Sequence, residues 1–229
     1  MIIIDNKKIE ELQLCLSERP AIPTPEQDVE FIEIKGRNGS LTKKYGFKDM
    51  TYSLTFDFLE DTPFKPAYRK AKLALFNGKK LAFEDDPGIY YKIKSVSVSE
   101  AENEIMEFGQ FTVEFILAPF AYEETESKII TSQTTLTNPG YESEPLIVVH
   151  CTGTGKVYIN NKSITIKDIN GTMTVDSESM NAYRMDNGRI VNLNHHMIGD
   201  FPVLGQGKNV IKFDGDITKL EINPRWRWV

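Results

Sequence analysis

The C-terminal stretch constrains this chain more than any other. From Lys219 onward, Leu220, Ile222, Pro224, Trp226 and Trp228 alternate with Lys219, Glu221, Asn223, Arg225 and Arg227. A period of two sustained this long is the mark of a half-buried β-strand. Both tryptophans of the protein lie on the apolar side of that alternation, so both are predicted to point inward. Pro224 lacks an N–H, which places it at an edge or a bulge. Just upstream, Asn209 to Phe213 reads as a shorter strand. Asp214-Gly215-Asp216 then reads as the turn that folds one strand back on the other.

The region before it has the same character. Leu146 to Cys151, Lys156 to Ile159, Ser163 to Lys167, Thr172 to Val175 and Arg189 to Asn192 are short strand candidates. Turn chemistry at Gly153, Asn160-Asn161, Asn170-Gly171 and Asn187-Gly188 separates them. That spacing predicts an antiparallel β-sandwich. A seam rich in Pro, Glu, Ser and Thr runs from Pro119 to Pro139, so the expected domains are residues 1–132 and 133–229. Each is large enough to own a core.

The first domain is also predicted to be mainly β. Strands are expected at Met1 to Ile4, Ile9 to Leu16, Val29 to Lys35, Lys80 to Phe83, Tyr90 to Val98 and Phe111 to Leu117. The cleanest alternation is Tyr52, Leu54, Phe56 and Phe58 against Thr51, Ser53, Thr55 and Asp57. One helix is expected, about Ala67 to Phe76, with Thr62 as a cap and Asn77-Gly78 as the stop. Val29 to Lys35 and the Tyr52 strand together suggest a long hairpin with its tip at Gly36 to Gly46. Arg37, Lys43, Lys44 and the neighbouring Lys48 make it basic, and little in the tip could pack on a core. It is either an exposed adhesive hairpin or an ordinary surface loop. The acidic run from Glu100 to Glu107 reads as a solvated hairpin tip, without the spacing of a calcium loop.

Charge is divided unevenly. Residues 1–127 hold 16 basic and 23 acidic side chains, and the remainder 11 and 10. The net charge of −6 argues against a nucleic-acid-binding surface, which needs a basic patch. Cys15 and Cys151 match no metal or redox spacing and are expected as free thiols, a single bridge between the halves being the lesser reading. No segment has the form of a signal peptide or the length of a membrane span.

No residue set suggests catalysis. Gly153-Thr154-Gly155-Lys156 lacks the first glycine and the Ser/Thr of a phosphate-binding loop, and a strand follows it. His195 and His196 are adjacent, so an extended backbone points them apart, and His150 reads as a strand residue. Asp176 and Glu178 share a side, but nothing else converges on them. Catalytic, cofactor-binding and metal-binding residues are therefore all expected to be none, and the chain is not expected to be an enzyme.

The order of these segments is familiar. VYINNKSITI, MTVDSES, IVNLNHHMIGDFPVLGQGKNVIKFDG and ITKLEINPRWRWV follow GRNGSL, YSLTFDF and one helix. This succession resembles the distal tail protein (Dit) family of long-tailed siphophages infecting Gram-positive bacteria, over essentially the whole chain. The resemblance implies a ring-forming, β-sandwich-like first domain with one helix and a long hairpin, and a galectin-like or carbohydrate-binding-module-like second sandwich. It implies a six-membered hub that joins the tail tube to the tip or baseplate and leaves a channel for DNA without binding it stably. The implied partners are the major tail (tube) protein, the tape-measure protein, a tail-associated lysin or tip protein and a receptor-binding protein. The implied location is the virion tail tip after synthesis in the host cytoplasm, with no membrane contact. Arg37, Lys43, Lys44 and Lys48 are the expected inter-subunit contacts. A lectin-like module that recognises host-wall carbohydrate is the alternative.

Overall fold

In its first part the chain lays down β1 (Ile2–Ile4), β2 (Lys7–Lys8), β3 (Leu14–Leu16), β4 (Gln27–Ile32), β5 (Leu41–Phe47) and β6 (Met50–Phe58). There follow helix α1 (Phe64–Asn77), β7 (Lys80–Phe83), β8 (Ile89–Val98), β9 (Glu102–Ile105) and β10 (Phe108–Glu123). The computed structural model describes residues 1–59, 63–100, 102–105 and 108–229. The expected cap Thr62 lies outside the described residues, as do Ala101, Met106 and Glu107 of the acidic run, whose Glu102–Ile105 is a strand. The chain divides into two units, Met1–Tyr122 with Val229, and Glu123–Trp228. The division lies inside the seam from Pro119 to Pro139, ahead of the 132/133 bound, and Lys128–Ile130 pairs with Leu220–Ile222 of the second unit.

The alternation of β6 sets the first core. Met50, Tyr52, Leu54, Phe56 and Phe58 are buried, and antiparallel pairing places Leu117, Phe115, Val113 and Phe111 of β10 beside the first four. Helix α1 covers this face with Phe64, Ala67, Ala71 and Leu75, at the three- and four-residue spacing of one helical stripe. Phe64 and Phe111 both pack on Phe58, with ring centroids 4.9 and 5.6 Å away. The strand order is β2-β1-β7-β8-β10-β6-β3. Two strands therefore separate β6 from β7, about 14 Å on a flat sheet. Yet Tyr52 of β6 and Phe83 of β7 hold their rings 6.4 Å apart, so the sheet curls on itself.

Three expectations in this unit need correction. Ile9–Leu12 is a 3-10 turn, and only Leu14–Leu16 is strand, because Gln13 takes a left-handed backbone (φ 62) that breaks the extension. The helix begins at Phe64, where Pro63 ends the extended backbone. The hairpin also differs: Val29–Ile32 pairs with Leu41–Lys44, while β6 belongs to the main sheet. Its tip is residues 33–40, and Lys43 and Lys44 stand within a strand.

The second unit continues with β11 (Lys128–Ile130), β12 (Thr134–Asn138), β13 (Leu146–Ile159), β14 (Lys162–Asp176) and β15 (Asn181–Asp186). β16 (Arg189–Asn192), β17 (Met197–Ile198), β18 (Gly207–Asn223) and β19 (Arg227–Trp228) complete it. Turns fall where expected at Asn160-Asn161 and Asn187-Gly188. The other expected turns lie inside long strands, Gly153 and Asp214-Gly215-Asp216 at bulges and Asn170-Gly171 in regular pairing with Thr152 and Cys151. β13 runs straight through Gly153, β14 through Asn170-Gly171 and β18 through Asp214-Gly215-Asp216. The register shifts between Gly153 and Gly155, and again between His150 and Cys151, so the irregularities of three adjacent strands lie side by side. A bulge adds a residue and bends its strand. Aligned bulges let long strands fold over one core from both of their ends, from Ile147 and Ile222 to Ile159 and Ile211.

Gly155 and Gly215 make this bend possible. They are cross-strand partners. A Cβ on Gly155 would lie 2.6 Å from the Asp214 carbonyl, and one on Gly215 2.5 Å from the Thr154 carbonyl. Gly215 also has a φ of 71°.

The terminal alternation holds only in part. Leu220, Ile222, Pro224 and Trp226 are buried as expected, but Arg227 is buried and Trp228 is 38% exposed. Arg225 takes a left-handed backbone (φ 49), which interrupts the strand and reverses the side-chain parity beyond Trp226. Arg227 is accommodated because its guanidinium donates to the Glu142 carbonyl and pairs with Glu144 at 2.8 Å.

Two outcomes test this account by thermal melting of the full chain. Gly215→Ala combines backbone strain of about 1–3 kcal/mol with overpacking of similar size, about 1–3 kcal/mol. Gly171→Ala, with no heavy atom within 4 Å of its Cβ, should show the strain alone. Separately, Trp226→Ala should cost about 3–5 kcal/mol, and Trp228→Ala less than roughly half of that, since the ring is already partly in water.

Candidate assembly interface

β4 and β5 form a two-stranded sheet of their own. Its base is closed by the Lys48 N–H, which donates to the Glu26 carbonyl, and by the Lys48–Glu26 ion pair at 3.1 Å. Beyond the base, cross-strand partners share a face. Val29 and Phe31 stand with Lys44 and Thr42 on one side; Glu30 and Ile32 stand with Lys43 and Leu41 on the other. Among the described residues little covers either side, Val29 alone of these apolar side chains being half-buried. Phe31 is 68% exposed and Tyr45 55%, and Ile32, Ile34 and Leu41 are exposed as well. Single exposed apolar side chains are ordinary on a protein surface. Five on one thin ribbon form a patch, and a lone two-stranded ribbon is at best marginally stable in water.

The four predicted contact residues are spread along this arm. Arg37 sits in the tip, where its N–H donates to the Ile34 carbonyl. Lys43 and Lys44 stand on opposite faces of β5, and the Lys43 ammonium lies 4.6 Å from the centre of the Tyr45 ring. Lys48 is at the base, engaged with Glu26. The structure thus brings all four to one element but not to one face. The apolar members of the arm were missed. Their signal is VEFIEI, where Val29 and Phe31 interleave with Ile32 and Ile34 and make both faces apolar.

The remaining polar candidates have structural partners. Gly153-Thr154-Gly155 belongs to the bulge, where the Thr154 N–H donates to the Asp216 carboxylate at 2.9 Å. The rings of His195 and His196 lie tilted against each other, with centroids 4.0 Å apart, in a short 3-10 turn, so they do not diverge as an extended backbone would make them. His196 Nδ1 lies 2.8 Å from the Lys167 carbonyl. His150 Nε2 and Lys219 Nζ both reach Glu221 Oε1, at 2.9 and 2.8 Å. Cys15 and Cys151 are free thiols, and burial pushes both above the ordinary thiol range.

Asp176 and Glu178 do have a converging partner. Arg225 Nη1 lies 2.6 Å from Asp176 Oδ1 and 3.3 Å from Glu178 Oε2. The same Asp176 oxygen accepts the N–H groups of Glu178 and Ser179. Burial pushes the Asp176 carboxyl up, but the Arg225 guanidinium and these hydrogen bonds outweigh it and hold the group below its ordinary 3.8. This cluster pins the terminal segment at its left-handed residue. The folded carboxyl titrates below the unfolded one, so its contribution is complete above about pH 4 and is lost as the pH falls through the folded value. Asp176→Asn should therefore lower stability at neutral pH by about 1–3 kcal/mol. Melting temperatures recorded between neutral and strongly acidic pH should converge for the two proteins at the acid end.

Comparison with known proteins follows the same line. Residues 7–117 match the family model of the phage tail protein RIFT-related domain. No curated protein matches the sequence. Among solved structures, the chain is similar to the Dit protein of phage SPP1, described as a paradigm of the hub adsorption apparatus in phages infecting Gram-positive bacteria. The TM-score is 0.68 at 13% identity, covering 100% of this chain and 98% of that one. It is also similar to a chain of the phage p2 baseplate in its activated conformation. With calcium the TM-score is 0.54 at 8% identity, covering 95% of this chain and 91% of that one. With strontium the values are 0.52 and 7%, covering 92% and 89%. Residues 7–117 of this chain thus match the phage tail protein RIFT-related domain, and the chain over its whole length has the fold of the SPP1 Dit protein.

Proposed function

We propose that this chain is a structural distal tail protein, six copies of which close into a hub ring between the tail tube and the tip or baseplate. The whole-length likeness to the SPP1 hub protein carries this reading. The arm supports it independently. It offers apolar and basic side chains that the subunit leaves uncovered, as an element meant for a neighbour would. Head-to-tail contacts between identical subunits close into a ring when the rotation per subunit divides the circle.

Such a ring leaves an axial channel for DNA. The excess of acid over base in residues 1–127 suits a lumen that repels phosphate. A lysine-lined channel would hold DNA through counterion release. Its work is assembly, with no reaction to catalyse. The galectin-like second domain, on the outside of the ring, would face the tip proteins and a receptor-binding protein. The tube and tape-measure proteins would meet the ring from above. Its place is the virion tail tip.

Imaging of assembled tail tips should show six copies around a central hole, with first domains inside. An off-axis position or another copy number overturns the reading. Lys43→Glu with Lys44→Glu should leave the melting temperature of the isolated chain unchanged, because both side chains are exposed in the arm. The same change should lower the assembled fraction by at least about tenfold.

A further inference from the structure

Helix α1 faces water with a side that its own subunit does not explain. The inner stripe, Phe64, Ala67, Ala71 and Leu75, belongs to the first core. The opposite side carries Lys65, Arg69, Lys70, Leu73 and Phe76, all exposed, Leu73 at 67% and Phe76 at 54%. Lys65, Arg69, Leu73 and Phe76 follow one another by four, four and three residues, so cationic and apolar groups share one ridge. With Lys72, the helix holds four cations and no acid. This is the reverse of residues 1–127 as a whole, where acids outnumber bases by 23 to 16.

These side chains work against the helix. Lys65 stands in the first turn, where the helix dipole disfavours a cation. Lys65 and Arg69 are four residues apart and Arg69 and Lys72 three, spacings at which like charges repel. Among the described residues none of the four cations is held in an ion pair. Lys72 lies over the Tyr68 ring, 4.5 Å from its centre. Glu100, near the Tyr68 hydroxyl, pairs with none of them. Glu60 and Asp61, just ahead of the helix in sequence, are outside the described residues. Repulsion and exposed apolar area on one ridge gain nothing for the free subunit, and a partner that covers the ridge relieves both at once.

The mixed chemistry selects the partner. A nucleic acid would be held by the cations alone, through released counterions, and would leave Leu73 and Phe76 unmatched. A second copy of α1 would set cations against cations. An acidic protein segment with an apolar side chain among its carboxylates matches both halves of the ridge. Resting on the tail-assembly reading above, though not on its copy number, we propose that the outer face of α1 docks such a segment of a different tail protein. Its carboxylates pair with Lys65, Arg69 and Lys70, and its apolar side chain covers Leu73 and Phe76. Apolar burial holds the contact. The charges orient it and exclude basic surfaces.

The test uses the full chain in assembled tail tips, with Phe76 replaced by its photoreactive benzophenone analogue. Irradiation should join it to a different tail protein, and mass spectrometry of the joined peptide should find carboxylates on either side of an apolar residue. Arg69→Glu with Lys70→Glu should cut incorporation of that protein into tips about tenfold. Exchanging the carboxylates of the joined peptide for lysines should restore it. Leu73→Gln with Phe76→Gln should weaken it too, with the helix intact, since both positions are exposed and Gln is a good helix former. On the isolated chain, Arg69→Glu should raise the melting temperature, because the new carboxylate lies one turn from both Lys65 and Lys72. A lower melting temperature shows that the cations serve the fold, and overturns the proposal. So does the absence of a cross-link, a cross-link only to another copy of this chain, or a joined peptide without acids. Binding of double-stranded DNA that Arg69→Glu with Lys70→Glu abolishes overturns it in favour of a polyanion site. Each of these leaves the ring reading standing where six copies still surround the channel; a tail tip without this chain overturns both.

Discussion

Much of the second unit depends on a place where no side chain fits. Gly155 and Gly215 face each other across adjacent strands, each within 2.6 Å of the other strand's backbone at the position a Cβ would take. Close approach of two backbones is a use of glycine that any other residue forbids. Here it lets β13 and β18, each long enough to cross the unit, bend together. The bend brings both halves of each strand onto one core, so a sheet with few chain reversals encloses its own apolar face. The Asp216 carboxylate, bonded to the Thr154 N–H, satisfies a donor that the bulge would otherwise strand. The left-handed residue at Arg225 plays a comparable part at the end of the chain. The ion pairs with Asp176 and Glu178 keep the terminal segment down where its strand stops.

The sequence made most of the buried faces legible and some of the connections illegible, for a single physical reason. In β18 the buried positions are odd at Asn209 and Ile211 and even at Leu220 and Ile222. A change of parity arises when a turn separates two strands. It arises equally when one extra residue, here near Thr218, bulges out of a continuous strand. Asp-Gly-Asp favours the first interpretation, and only the neighbouring strands decide for the second. Where no bulge intervenes, as in β6, the alternation could be read directly and every apolar position proved to be core. The helix and the hairpin turns at Asn160 and Asn187 were legible through their stop and turn residues.

The arm was half legible. Its basic residues could be named from composition because charges of one sign cluster there. Its apolar residues were hidden by resembling an ordinary strand. Val29, Phe31, Ile32 and Ile34 would be core residues in a larger sheet, and the alphabet of residues does not record which chain provides the covering layer. What marks them is the contrast within one molecule. The first unit buries aromatic residues in edge-on and tilted ring contacts under α1, yet leaves Phe31 and Tyr45 in water on a ribbon that main-sheet pairing does not reach. The packed core and the exposed apolar surface thus lie on different strands, so one can vary without the other.

A two-stranded ribbon has two open edges, and this has a consequence for the subunit before anything covers the arm. Open edges carry unpaired N–H and C=O groups that will accept any extended chain, and an apolar ribbon is the kind that grows into aggregates. Lys43 and Lys44 lie on opposite faces of β5, so two ribbons meeting by that edge would bring like charges together on both sides. The glycine and left-handed geometry at Gly46, with its register shift against Asp28, further spoils a flat edge at the base. The lysines therefore act as gatekeepers of solubility. They oppose edge-to-edge pairing of the ribbon with its copies, while leaving its apolar faces open.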